Sequence, residues 1–480
     1  MSCKIHFLNH ASLVIEYEDF FLILDPWPSD EFSFDSWKPH PPCFLNDDIL
    51  SAFINGSKEK AGIIISHAHD DHCDDYFLKK ISASTNIFLP NYKSKGSFKR
   101  IKSNNLENIK EINHLNFLDF GPFSLSSYII HDKSEDDAVI LIKTDKYLFV
   151  HANDNSTAFP EDLNNFIKEN SKDRILYFAS QTGIANGFPY CYPQILNLDE
   201  KKEINNIALN KIKRTIQIAI NNANIVGADY FITYAAFTIS MSLLSRYKTN
   251  INQFFPSPKN IRKLNLEWGL TSLLDFVPGD TLDVNTQKID RPFWLRNTTI
   301  EEIAYQIKNK RLNDIDSFNE EIIELTSYFS DISAERLIYY IKNFLMGFYK
   351  YTCKLDNNWK NEILNKILEI NIDKIGKATI DLSNGNFIKL KNDSQPNKRI
   401  LINKDICLLL ISGHFNFESL YIGHFALFER FPPHKYNFEL MHQLSVYGYI
   451  YQKRLVPKDL KFSKKLQNNS TLNYKSVSHI

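Results

Sequence analysis

The chain has 480 residues, 43% of them hydrophobic, enough apolar material for a large core and enough length for two or three domains. Its 56 basic and 56 acidic residues cancel, which argues against a nucleic-acid groove or a polybasic membrane contact and leaves the binding of acidic ligands to local charge. No apolar run nears the roughly twenty residues of a membrane span and no basic-then-apolar leader opens the sequence. The six cysteines, Cys3, Cys43, Cys73, Cys191, Cys353 and Cys407, include no Cys-x-x-Cys pair, so the reading is a cytoplasmic protein without a disulfide framework.

In chain order, short runs rich in Ile, Val, Phe and Leu predict strands at Lys4–Leu8, Leu13–Tyr17, Phe20–Leu24, Ile63–Ile65, Ser124–Ile130, Ala138–Lys143 and Tyr147–Val150. Helices and strands then alternate, with a helix at Pro160–Glu169, a strand at Ile175–Ala179, a long helix near Glu203–Ala223 and a strand at Tyr230–Tyr234. This pattern predicts an α/β chain. Turn residues in Pro278-Gly279-Asp280 and Asp290-Arg291-Pro292 place a boundary near 285. Helical spacing follows in Ile300–Lys310, Phe318–Phe329, Ala334–Tyr349 and Trp359–Ile370, so 286–375 reads as a helical insert or cap. Ala378–Leu382, Phe387–Lys391, Ile400–Asn403 and Ile406–Ile411 read as strands of a small mixed α+β unit over 376–457, and 458–480 as a polar tail.

The run His67-Ala68-His69-Asp70-Asp71-His72 follows the β-rich segment Ala61-Gly62-Ile63-Ile64-Ile65-Ser66. Its imidazoles and carboxylates are the donors that borderline divalent metals such as zinc prefer. On a turn, His67 and His69 can face one point while Asp71 and His72 reach a second, which suits a site of one or two ions. Cys73 is either a soft ligand or an inert buried thiol.

With this motif, the opening Ile5–Glu16 and Asp25-Pro26-Trp27, together with Asp136-Asp137-Ala138-Val139, Asn153-Asp154, Gly187-Phe188-Pro189-Tyr190, Tyr230–Phe237 and Val277-Pro278-Gly279-Asp280, give the chain a pattern that resembles the metallo-β-lactamase superfamily. Within it, the pattern is most similar to the metallo-β-lactamase-like portion of the CMP-N-acetylneuraminate hydroxylases and to the ascorbate-phosphate lactonase branch. The resemblance covers about 1–285 and implies an αββα sandwich. It further implies His131 as a third ligand of the first ion and Asp154 as the carboxylate bridging two ions. Asp25 and His10 would support the ligands from behind, and Trp27, Phe188, Tyr190, Tyr234 and Phe237 would line a pocket.

One departure stands out. The superfamily supplies a last histidine beyond the bridging carboxylate, whereas this chain has none between His151 and His414. The second position is therefore incomplete, closed by His151, or served by His414, His424, His434 or His442 from a C-terminal region that would then roof the metal edge. The chemistry implied is a metal-dependent hydrolase in which the metal acidifies water and Asp71 or Asp154 positions it. Its substrate would be a small-molecule ester, lactone, amide or phosphodiester, with an acidic sugar or nucleotide-sugar suggested by the resemblance. Two alternatives are an iron-containing oxygenase component that takes electrons from a separate partner, since the Cys-x-His ligands of a Rieske centre are missing, and a binding protein with a degraded site.

Overall fold

The computed structural model describes residues 2–460 apart from 29–36, 40–52, 54–59, 94, 131–136, 184–190, 193–203, 241–255, 304–319, 321, 325, 328, 330, 392–393, 422, 424 and 433–437. Two large sheets carry the first part of the chain. The eight-stranded one runs, edge to edge, Lys288–Asp290, Thr281–Asp283, Cys3–Asn9, Ser12–Tyr17, Phe20–Leu24, Ala61–Ile64, Asn86–Pro90 and Ile109–Ile112. The seven-stranded one runs Ser272–Leu273, Tyr230–Tyr234, Ile175–Gln181, Tyr147–His151, Ala138–Lys143, Phe123–Ile129 and Leu118–Phe120.

Alternating burial explains the layering. Ile5, Phe7, Leu13, Ile15, Leu24, Ile140, Ile142 and Phe149 meet in one core between the sheets, while the residues of opposite parity face outward. Val14, Ile23, Ile63 and Ile87 pack with Phe77, Leu78 and Ile101 of the helices Asp75–Leu78 and Gly96–Lys102. Val139, Leu141, Val150 and Phe178 pack with Leu163, Ile167, Ile216 and Ile220 of the helices Glu161–Ser171 and Ile204–Val226. The arrangement is an αββα sandwich, as expected. Each sheet is antiparallel in one half and parallel in the other, and the parallel strands end together on one edge, where α/β sheets bind their ligands.

Several element readings need correction. The strand Lys288–Asp290 pairs with Thr281–Asp283 in the first sheet, and Leu295 and Ile300 lie in the inter-sheet core, so that body continues past 285. Ile406–Ile411 is helical within Lys404–Ile411, with Asn403 Oδ1 capping Ile406 N at 2.8 Å. Its run of apolar residues is buried all round, which carries no period to separate helix from strand. The helix Asn357–Ile363 stops well before Ile370, and Ile367–Ile372 is instead the central strand of a five-stranded sheet with Gly376–Asp381, Asn386–Phe387, Lys398–Ile402 and Leu427–Arg430. Of the expected strand Phe387–Lys391 only Phe387 pairs, in the two-residue strand Asn386–Phe387. The helix Ala334–Thr352 lays Leu337, Ile341, Phe344 and Phe348 into the same core as Leu368, Ile370 and Ile380, so the expected cap and mixed unit share one interior. Most of Ile300–Lys310, parts of Phe318–Phe329, and the tail beyond 460 fall outside the described residues. Among the described residues no helix is long and apolar enough to cross a membrane.

That second interior also takes in Cys191 and Tyr192 from the first part of the chain, with Phe428 N donating to Cys191 O at 2.7 Å. Beside them Lys398 is fully buried. Its ammonium donates to the Tyr192 hydroxyl at 3.3 Å and sits over the Tyr192 and Phe428 rings. Burial, and then the Arg430 charge, pull its pKa from the usual 10.5 to about 7. A folded pKa below the unfolded one means that the cost of burying the charge is fully present below about pH 7 and fades as pH rises through the unfolded value. Lys398→Met is therefore expected to raise the denaturant midpoint at pH 6, with the gain shrinking by about pH 10, as unfolding curves at the two pH values would show.

Candidate metal centre

The site is assembled from the carboxyl ends of the parallel strands. Asp25 follows Phe20–Leu24 and is fully buried. Its Oδ1 accepts from Ser66 N at 2.7 Å, and its Oδ2 accepts from Ser66 Oγ at 2.7 Å and from His72 Nδ1 at 2.9 Å. The Tyr234 hydroxyl, from the end of Tyr230–Tyr234 in the opposite sheet, lies 3.1 Å from the same oxygen and donates to Ala11 O. Fixing Nδ1 of His72 on a carboxylate turns its Nε2 toward the open edge, the orientation a metal-binding imidazole needs.

The loop that carries the histidines is closed by backbone turns from His72 N and Cys73 N to His69 O, at 3.1 and 2.9 Å. Arg100, from the helix Gly96–Lys102, braces it from outside. One guanidinium reaches Ala68 O, Cys73 O at 3.1 Å, Asp70 Oδ1 at 2.8 Å and Asp75 Oδ2 at 3.2 Å. Tyr92 OH donates to Ser66 O. Asp74 caps the short helix that follows, accepting from Tyr76 N and Phe77 N.

Two overlapping trios of ligand atoms result, each within 4.8 Å: His67, His72 and Asp154, and His10, Asp71 and His72. His72 Nε2 lies 3.4 Å from Asp154 Oδ1 and 3.7 Å from Asp71 Oδ2, and His10 Nε2 lies 3.1 Å from Asp71 Oδ2. His72 Nε2, Asp71 Oδ1, Asp154 Oδ1 and His10 Nδ1 are buried without a hydrogen-bond partner. Each such atom costs about 1–3 kcal/mol if nothing compensates it, and the pair His72 Nε2 and Asp154 Oδ1, orphaned 3.4 Å apart, fits a bound cation. Burial works against charge on His72, but Asp154, Asp71 and Asp25 outweigh it and hold its pKa well above the usual value. Burial likewise works against the Asp71 carboxylate, yet His72 and His10 keep it well below the usual carboxylate range. His67 is pushed down, first by burial and then by the neighbouring His72 and His69. The field at this edge favours a cation coordinated by carboxylates and neutral imidazoles.

The expected residues are brought together unevenly. His67, Asp71, His72 and Asp154 fall in the trios, and Asp25 stands behind His72. His10, expected as a support, falls in a trio itself. His69 belongs to neither, its Nδ1 lying 2.7 Å from His67 Nε2. His131, His424 and His434 lie outside the described residues, as do Asp136, Phe188 and Tyr190. His151 is held behind Asp25, with Nε2 3.9 Å from Asp25 Oδ2 and its ring edge-on to Tyr234, and burial pulls its pKa down to about 4. His442, on the helix Phe438–Ile450, stacks on Trp359 at 5.4 Å, and burial, then the charge of His69, lowers its pKa to about 4. His414 sits against Phe415 and joins neither trio. Phe237 is core, packed on Phe7 at 5.3 Å. The Cys73 thiol is fully buried and pushed up to about 12, the inert alternative.

Sequence reasoning missed Ser66, Arg100 and Asn153 as parts of the site, and placed Tyr234 as a pocket wall without its bond to Asp25. Asn153 Nδ2 lies 3.0 Å from His67 Nδ1 and donates to Asp137 Oδ1 at 2.8 Å. Only their places at strand ends beside the motif pointed to Ser66 and Asn153, and nothing local marks Arg100.

No protein-family profile matches the chain, and no curated protein does. Among solved structures it is similar to Igni18, a metallo hydrolase from the hyperthermophilic archaeon Ignicoccus hospitalis, at 14% identity and a TM-score of 0.38 over 59% of this chain and 98% of that one. It is also similar to an isothiocyanate hydrolase from Delia radicum gut bacteria, at 12% identity and a TM-score of 0.35 over 58% of this chain and 98% of that one. A third is CmlA, a diiron β-hydroxylase from Streptomyces venezuelae, at 12% identity and a TM-score of 0.35 over 60% of this chain and 54% of that one. The fold assignment stands on the two sheets themselves.

Because one Arg100 side chain ties both ends of the loop, Arg100→Ala is expected to lower stability by about 1.5–3 kcal/mol, the worth of hydrogen bonds to a charged group. Denaturant unfolding of the variant beside the parent measures it.

Proposed function

We propose that the chain is a metal-dependent hydrolase acting on an ester, lactone, amide or phosphodiester, with sugars or nucleotide-sugars as the substrate class that the resemblance favours. One observation carries this reading: five side chains from three separate segments, His10, His67, Asp71, His72 and Asp154, bring their donor atoms together at the sheet edge, with His72 Nε2 and Asp154 Oδ1 buried without a hydrogen-bond partner. His69 adjoins them through His67, and His131, the further ligand that the resemblance implies, lies outside the described residues.

A divalent cation bound here supplies Lewis acidity, acidifying water and polarising a carbonyl or phosphoryl oxygen. The chain's own groups divide the remaining work. Asp25 keeps Nδ1 of His72 protonated and its ring fixed. Asp71, on the buried side of His72, is held ionised by His72 and His10 against the effect of burial. Asp154, which also approaches His72 Nε2, is the more open of the two, with its side chain 26% exposed. That exposure suits Asp154 to orient a water and accept its proton, while Asp71 balances charge from inside.

The purified protein is expected to contain one to two equivalents of zinc by elemental analysis. His67→Ala combined with His69→Ala should empty the site while leaving the far-ultraviolet circular dichroism unchanged. Unchanged metal content in that variant would overturn the proposal, and iron in place of zinc would move the reading to the oxygenase component. Asp154→Ala should lower hydrolysis of an activated ester by about 100-fold or more, the scale of a lost general base. Asn155→Ala should do much less, since Asn155 Oδ1 serves only the turn to Thr157.

A further inference from the structure

The sequence leaves the second metal position one histidine short, and the structure offers a residue from the other end of the domain. His10 follows the strand Cys3–Asn9, at the return into Ser12–Tyr17 where the strand register shifts. Its carbonyl accepts from Ala235 N at 3.0 Å, which ties this turn to the end of Tyr230–Tyr234. The ring stands edge-on to Trp27 at 5.8 Å, and Trp27 is itself anchored by Asn9 Nδ2 on its carbonyl at 2.7 Å and by Ser12 Oγ on its amide at 3.0 Å. His10 is thus a buried imidazole with a fixed orientation, its Nε2 3.1 Å from Asp71 Oδ2 and within 4.8 Å of the ligand atom of His72. Two ligand atoms bonded to one ion at about 2.0–2.2 Å stand about 3.0–3.5 Å apart, so the spacing of His10 and Asp71 suits a shared ion. The other described histidines are placed less well. His151, with Nε2 3.9 Å from Asp25 Oδ2, His414 and His442 join neither trio.

We infer that His10 is the ligand that completes the second metal position, with Asp71 and His72, in place of the histidine that the sequence lacks. This rests on the metal-dependent reading above. The rival role is support, with Nε2 merely donating a hydrogen bond to Asp71. His10→Gln separates the two, because a glutamine amide still donates to Asp71 but is a poor ligand for a transition metal.

The test is titration of chelator-treated, full-length protein with Co(II), following the visible d–d bands. The parent is expected to take up two equivalents. His10→Gln should keep the first and weaken the second by more than about 100-fold, beyond the 10–100-fold of a lost supporting partner. Two equivalents bound by His10→Gln with parental affinity and spectrum would overturn the inference and leave the hydrolase reading standing, as would a parent that binds a single equivalent. A parent that binds no metal would overturn the hydrolase reading itself. Should the variant fail to fold, anomalous diffraction from cobalt-loaded parent crystals decides. A cobalt peak at about 2.0–2.2 Å from His10 Nε2 upholds the inference, and cobalt peaks all lying beyond about 3.5 Å, outside ligand range, end it.

Discussion

The buried carboxylate of Asp25 is the contact on which the site depends. It closes the end of one strand onto the next through Ser66, fixes the tautomer of His72, and reaches the opposite sheet at Tyr234. A carboxylate with no exposed surface is tolerable only when its lone pairs are filled and a cation or partial positive charge stands nearby. Here the donors come from the 66–72 segment of one sheet and from Tyr234 of the other, so the two sheets cannot slide at this edge without exposing or orphaning that charge. The same contact that holds the sandwich together at its functional end also aims the nitrogen of His72.

Backbone conformation at this edge follows from the same demand. Asp25, Asn153 and Ala235 have φ of 44°, 55° and 46°, in the left-handed region that costs a non-glycine residue of order 1–3 kcal/mol where the surroundings impose it. Each lies just past a parallel strand, Phe20–Leu24, Tyr147–His151 or Tyr230–Tyr234. Turning the chain sharply there lets Asp25 and Asn153 face the histidine loop and lets Ala235 N bind His10 O. Other positive-φ residues, such as Glu18, Asp173 and Lys374, lie away from the site, but these three stand where the strands deliver functional groups, and the packed layers on both faces of each sheet keep them from relaxing.

Much of this was legible before any coordinates. Nine of the fifteen strands of the first two sheets and the helices on the second were legible, because each sheet buries one face between the layers and the other beneath helices, which favours continuous runs of Ile, Val, Leu and Phe. By contrast, Asn86–Pro90, Ile109–Ile112, Leu118–Phe120 and the short strands Ser272–Leu273, Thr281–Asp283 and Lys288–Asp290 were not read. The second half was read less well. The all-apolar run Ile406–Ile411 and the segment Trp359–Ile370 sit in an interior closed on every side, where side-chain period no longer distinguishes helix from strand. The body boundary was set too early because its turn signals, Pro278-Gly279-Asp280 and Asp290-Arg291-Pro292, bracket an antiparallel pair that returns to the first sheet.

The candidate site divides along similar lines. Sequence by itself determined the donor cluster His67, Asp71 and His72, and the strand-end position of Asp25, because ligand chemistry is written in residue types at short spacing. Tertiary structure decided which distant groups join them. The Arg100 brace, the hydroxyl of Tyr234, the amide of Asn153 and the approach of His10 to Asp71 depend on how one strand end lies beside another. Such neighbours are set by sheet order and by burial on both faces, which no local pattern in the chain records.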